Sequence, residues 1–221
     1  LAHRQVEPLA SPDLVVDIWD SHASGIHFEK PEVILNHRYD IPELNTENYF
    51  TLFNMKDSSF TMLNRSEGHA IWVIKDFHKL DTHVIYTEPL LTLFQVWGTD
   101  QGATIVHAAS VGYDNRAALL VGRSGSGKST TAILCLRDGL QFLGEDYCII
   151  QSNATPPYVE SLYNTGKLAD WSTERLPEMH PHIRFSADEV MDKTILSIYP
   201  GFQNQIVDRL PITAIIVPQV T

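Results

Sequence analysis

The sequence predicts an α/β protein, with a phosphate-loop core of strands and helices behind a β-rich N-terminal region. Three observations carry this. The apolar run Ala117-Ala118-Leu119-Leu120-Val121 leads into Gly122-Arg123-Ser124-Gly125-Ser126-Gly127-Lys128-Ser129, a complete G-x-x-x-x-G-K-S pattern, and Thr130 to Arg137 reads as a helix that stops near Gly139. A second apolar run, Leu140 to Leu143, follows and ends on Gly144-Glu145-Asp146, which gives the strand–helix–strand order of a crossover. Before residue 100, short apolar runs alternate with turn residues in the manner of strands. The domain reading is therefore a β-rich region over 1–100 and the phosphate-loop core over 101–221.

In chain order, Leu14 to Trp19 is a strand that runs into a turn at Ser21 to Gly25. Phe60-Thr61-Met62-Leu63 and Ala70-Ile71-Trp72-Val73-Ile74 form a hairpin with Gly68 in the turn, and His83 to Thr87 reads as a short strand. Pro89 to Gly98 reads as a helix, with Pro in its first turn and Gly past its end. Ala103 to Val111 is a strand and Gly112 to Arg116 a turn; a hairpin centred on Asp114 puts His107 opposite Val121, at the mouth of the loop. Beyond Thr155-Pro156-Pro157 come Tyr158 to Leu168, a mixed stretch over 170–193, and strands at Ile195 to Tyr199 and Ile212 to Val217 around a turn at Pro200-Gly201. The chain lacks an initiator Met and stops just after an apolar run, so residues are expected to be missing at its C-terminus.

The chemistry gathers at the loop. Glycines let backbone N–H groups crowd around phosphate oxygens, and the helix N-terminus adds partial positive charge. Residues Gly122 to Thr130 are the nucleotide contacts; Lys128 reaches the β- and γ-phosphates and Ser129 the Mg²⁺. A right-handed crossover makes the strand before Glu145 parallel to the one before Gly122, so both acidic residues arrive beside the phosphates. Neighbours on an extended chain point to opposite sides, so one carboxylate can help hold Mg²⁺ while the other takes the proton from an attacking hydroxyl. Glu160 and Lys167 are further candidates for metal and phosphate duties.

Composition narrows the partners. Lys and Arg number 16 against 27 Asp and Glu, for a formal net charge of −11, which lacks the basic footprint of a nucleic-acid or anionic-membrane binder. No apolar run approaches the ~20 residues that span a bilayer, and Leu1-Ala2-His3-Arg4-Gln5 has no signal-peptide core, so a cytoplasmic protein is expected. The two cysteines, Cys135 and Cys148, fall in an apolar helix and an apolar strand and read as small buried hydrophobes. His180-Pro181-His182 has no Cys or carboxylate at ligand spacing and reads as a surface loop.

From His107 to Asp146 the sequence resembles the catalytic core of the HPr kinase/phosphorylase family, a relative of phosphoenolpyruvate carboxykinases. The histidine stands 21 residues before Lys128 and the acidic pair 17 and 18 after it, spacings similar to the family's. The resemblance implies ATP and Mg²⁺ as cofactors, Asp146 as catalytic base, Lys128 as phosphate lysine, Ser129 as magnesium serine and His107 as active-site histidine. Glu145 stands where the family's pair begins with Asp, and is expected to help on the metal side. Glu160 with Lys167 resembles the corresponding carboxykinase stretch, and Lys193 or Arg209 would stand in for the family's downstream arginine. The short β-rich region in place of a large N-terminal domain looks more like the HPr-kinase-related enzymes of peptide biosynthetic clusters, some of which phosphorylate the C-terminal serine of lasso-peptide precursors. The expected partner is thus a peptide or small protein with an acceptor serine, and a homo-oligomer is compatible with this. HPr itself as substrate, a carboxykinase activity and a slowly hydrolysing nucleotide switch are the alternatives. Neither an N-K-x-D guanine-reading pattern nor an L-S-G-G-Q motif occurs, which disfavours two large switch and transporter groups.

Overall fold

The computed structural model describes residues 7, 9–27, 41–54, 58–187 and 192–219. Leu1 to Gln5 and residues 188–191 of the mixed 170–193 stretch lie outside the described residues. Contacts divide the chain between Ile85 and Tyr86, earlier than the boundary read from sequence.

The unit up to Ile85 is built on a four-stranded mixed sheet. β1 (Val15–Asp20) leads into a short helix, α1 (Ser21–Ser24), capped by Asp20, whose carboxylate accepts from the N–H groups of His22 and Ala23. β2 (Tyr49–Asn54), β3 (Ser59–Asn64) and β4 (His69–Ile74) complete the sheet in the order β1-β4-β3-β2, with β1 parallel to β4. The β3–β4 hairpin is the expected one, and β2 was not legible as a strand. Ile41, Phe53, Phe60 and Val73 form its core.

Two elements near residue 90 differ from expectation. His83 to Thr87 is not a strand but part of α2 (Thr82–Thr87), because the Asp81 carboxylate accepts the His83 N–H at 2.8 Å and starts a helical turn that outweighs the apolar pattern. In the next helix, α3 (Leu91–Asp100), Pro89 stays outside and Gly98 lies inside; the stop comes at Gln101 and Gly102 instead.

The unit from Tyr86 onward holds β5 (Ala103–His107), β6 (Ala109–Tyr113), β7 (Arg116–Leu120), α4 (Lys128–Arg137), β8 (Gln141–Gly144), β9 (Tyr147–Gln151), β10 (Tyr158–Ser161), β11 (Thr165–Leu168), α5 (Asp170–Glu174), β12 (Ile183–Phe185), β13 (Thr194–Ser197) and β14 (Arg209–Ile216). Seven strands run in the order β5-β9-β10-β14-β7-β6-β8. The expected single strand over 103–111 is split at Ala108. Its first half pairs with β9 and its second with both β7 and β8. The pairs His107↔Tyr147 and Ser110↔Gly144 share one antiparallel register, so β5–β6 and β8–β9 are two long strands bent at the same level. The sheet thereby closes on itself. Its interior is filled from six of the seven strands, by Val106, Ala117, Leu119, Leu143, Cys148, Val159 and Leu210.

This closure explains the other differences. The β6–β7 hairpin turns on Asp114 and Asn115, both at positive φ as a two-residue hairpin demands, and its register pairs Ala109 with Leu120, leaving His107 opposite Tyr147 instead of Val121. β8 has the direction of β7, as the crossover requires, but β6 lies between them. β10 and β11 belong to different sheets, as do β13 and β14; β11-β13-β12 is a separate three-stranded sheet. Outside the closed sheet, α4 buries Ala132, Ile133 and Leu136 against Val111, Leu120 and Phe142, and Leu168, Leu196 and Ile198 of the small sheet complete that core.

Candidate active site

The phosphate loop leaves β7 at Val121, whose N–H donates to Ile216 of β14, and ends at Gly127, the N-cap of α4. Gly122, Gly125 and Gly127 have φ of 146°, 78° and 95°, values that side-chain-bearing residues avoid. A Cβ on Gly122 would stand 2.8 Å from Ser126 Oγ, so the loop can close only with glycine there. Arg123, Ser124 and Gly125 are exposed, whereas Lys128 is 6% exposed. Its ammonium donates to the carbonyls of Gly122 at 2.8 Å and Arg123 at 3.2 Å, which holds the charge inside the loop. The first N–H groups of α4 have no intrahelical acceptor, so loop and helix together present donors and the Lys128 charge to an anion. Thr130 turns its hydroxyl to Ser172, 3.4 Å away.

Glu145 and Asp146 occupy the bend between β8 and β9, level with the bend between β5 and β6. They part as neighbours on an extended chain should. Glu145 is 2% exposed and accepts the Lys167 N–H at 2.9 Å, with the Ser129 hydroxyl close enough to favour its charged form. Burial, and then the charge of Asp146, push its carboxyl up to about 7. Asp146 lies nearer the surface. One oxygen is 2.9 Å from His107 Nε2 and the other is ion-paired with the Lys167 ammonium. His107 is half exposed, and its ring lies 5.5 Å from that of Tyr147, its register partner. The Tyr147 hydroxyl, hydrogen-bonded to Glu88, is pushed up to about 12, chiefly by burial.

Ser129, Glu145, Asp146, Lys167 and His107 thus form one connected cluster beside Lys128. A carboxylate has about four acceptor sites, and Asp146 uses two, so it can still accept a proton from a third group. Among the described residues no three His, Cys, Asp or Glu side chains are arranged to hold a metal ion. Magnesium bound with phosphates, however, draws on few protein ligands.

No family model matches the chain, and no curated protein does. The solved structures similar to it include the Hpr(Ser) kinase/phosphatase from Coxiella burnetii, at 13% identity and a TM-score of 0.35, over 52% of this chain and 64% of that one. The chain therefore matches just under two thirds of that protein's length.

The other residues singled out from sequence lie elsewhere. Glu160 faces Arg209, its register partner across β10 and β14, at 3.7 Å, and the Arg209 guanidinium lies 4.1 Å from the centre of the Tyr158 ring. Among the described residues, no hydrogen bond or ion pair links this pair to Ser129, Glu145, Asp146 or Lys128. Lys193 immediately precedes β13, whose Ile195 is the partner of Lys167. His180 and His182 sit in a 3₁₀ turn, where His180 contacts the Thr173 carbonyl and His182 the Phe202 ring. Cys148 is buried and donates weakly to the Ala108 carbonyl, and Cys135 is half-buried. Tyr147 and Glu88 were missed. The only sequence signal for Tyr147 was its place next to the acidic pair, and Glu88 carried none.

Proposed function

We propose that this chain is an ATP-dependent serine kinase related to HPr kinases. It would transfer the γ-phosphoryl group to a serine at or near the C-terminus of a small biosynthetic precursor peptide. The observation that carries the reading is the carboxylate pair beside the loop: Glu145 lies close to Ser129, the residue after the loop lysine, and Asp146 next to it is held by His107 and Lys167.

The residues suit the donor. The glycine loop and the first turn of α4 supply N–H groups for the phosphates, and Lys128 adds the charge that offsets their growing negative potential. Ser129 and the nearby carboxylates would hold Mg²⁺ with the nucleotide, and the ion would supply further charge neutralisation. Asp146 orients the acceptor hydroxyl and takes its proton as the serine oxygen bonds to phosphorus and the bond from phosphorus to the β–γ bridging oxygen breaks. The net charge of −11 favours a neutral or basic peptide over nucleic acid.

Mass spectrometry of a precursor peptide after incubation with the protein, ATP and Mg²⁺ tests this. One phosphate is gained, and the gain vanishes when the terminal Ser becomes Ala or when the protein carries Lys128→Ala. Phosphorylated HPr with no modified peptide would replace the substrate reading. ATP bound with no acceptor modified would replace the kinase with a nucleotide switch.

A further inference from the structure

The sequence assigned Lys167 to phosphate. The structure places its ammonium, only 9% exposed, on Asp146, while its backbone N–H is on Glu145. We propose that Lys167 is the positioning residue of this site: one residue of β11 fixes both carboxylates, Asp146 through its side chain and Glu145 through its main chain. The inference rests on the kinase reading for its consequence and on geometry for its existence.

Two features show that β11 is built to deliver this residue. Leu168 is fully buried beside Ile133 and Leu136 of α4, so the strand is anchored directly after Lys167. Gly166, directly before it, passes so close to α4 that a Cβ would stand 2.8 Å from Ile133 Cδ1. The absence of a side chain there brings β11 down onto the helix that starts with Lys128 and Ser129. Lys167 is thereby held at a fixed height over the carboxylate pair, and a buried ammonium with a carboxylate partner is a rigid contact. Asp146 is then pinned from two sides, by the imidazole and by the ammonium.

A phosphate ligand and a positioning residue make different predictions. Losing a phosphate ligand weakens ATP binding. Losing the positioning residue leaves ATP binding alone and slows the chemistry, since a misplacement of about 1 Å can cost ~10²-fold.

The test compares Lys167→Met, Lys167→Gln and Lys167→Arg with the unmodified chain. Transfer to peptide should fall by about 10²-fold in kcat for Met and Gln, with the KM for ATP changed by less than about threefold, and Arg should recover most of the loss. The second readout is ¹³C NMR of the side-chain carboxyls at one fixed pH, with Asp146 assigned from Asp146→Asn. The Asp146 resonance should move more in Lys167→Met than that of Glu145, which keeps its main-chain bond and loses only the influence of the ammonium charge. A raised KM for ATP at unchanged kcat would return Lys167 to the phosphate, and an unmoved Asp146 resonance would overturn the positioning role. If even the unmodified chain transfers no phosphate, the kinase reading fails, and the two resonances still decide what Lys167 holds.

Discussion

Gly166→Ala is the substitution that most directly probes how the site is assembled. Its new methyl would stand 2.8 Å from Ile133 Cδ1, where real contacts do not occur, and 3.6 Å from Ile198 Cδ1, which is ordinary. Forcing a methyl into a packed core costs about 1–3 kcal/mol. Replacing Gly by Ala also restricts the unfolded chain and returns about 0.4–1 kcal/mol. The clash wins, leaving a net loss of about 1–2 kcal/mol, or roughly 2–8 °C in Tm for a chain of 221 residues. The offending atom is known, so the repair is too. Ile133→Val removes Cδ1 and alone costs about 0.5–1.5 kcal/mol for the space it leaves. In the double variant the alanine methyl occupies that space, so the two losses should cancel in large part. Urea unfolding of the four proteins gives the coupling, expected to be on the order of 1 kcal/mol or more in the favourable direction. Losses that add to within ~0.5 kcal/mol would show that β11 does not rest on α4 at this point.

The remaining expectations concern the two carboxylates. Asp146→Asn should lower transfer by about 10²–10⁴-fold with ATP affinity nearly intact, as for loss of a general base, and a dead Glu145→Gln with normal binding would exchange the roles. Glu145 should also mark the pH dependence of stability. Its folded carboxyl, raised from an ordinary 4.5 to about 7, holds its proton more tightly than the unfolded chain does. The stabilisation is full below about pH 4.5 and is lost as pH rises through 7, on the order of 3 kcal/mol in all for a carboxyl moved that far. In protein free of divalent ions, denaturant unfolding should show that decline relative to Glu145→Gln, and parallel profiles would mean Glu145 titrates normally.

The parts of the fold read correctly from sequence are those set by neighbours in the chain. The β3–β4 hairpin, β7, the phosphate loop and α4 each follow from apolar periodicity and glycine placement within a dozen residues. The errors arise where a distant strand or a single cap decides. Ala103 to Val111 is apolar throughout and carries no sign of a break at Ala108. The break exists because β9 claims one half of the stretch and β7 and β8 the other, and it leaves His107 beside Tyr147. In α2 a single carboxylate, Asp81, turned a strand-like pattern into a helix. Tyr158 to Leu168 is one compact stretch in sequence, yet its two strands join different sheets, so Glu160 and Lys167 part company.

That parting shows why the site was only half legible. Lys128, Ser129, Glu145 and Asp146 are brought together by one strand–helix–strand unit, and their meeting can be derived from the direction of two strands. His107 also meets Asp146, though not by the route its hairpin suggested: the contact comes from the shared register of the two bent strands. Lys167 depends on packing alone. No spacing in the chain relates it to Asp146; the relation exists because Gly166 lets a strand of another sheet lie against the helix that begins at the phosphate loop. The sequence carries that information only as a glycine before a lysine before a buried leucine. That pattern acquires meaning once Ile133 is known to be what the glycine faces.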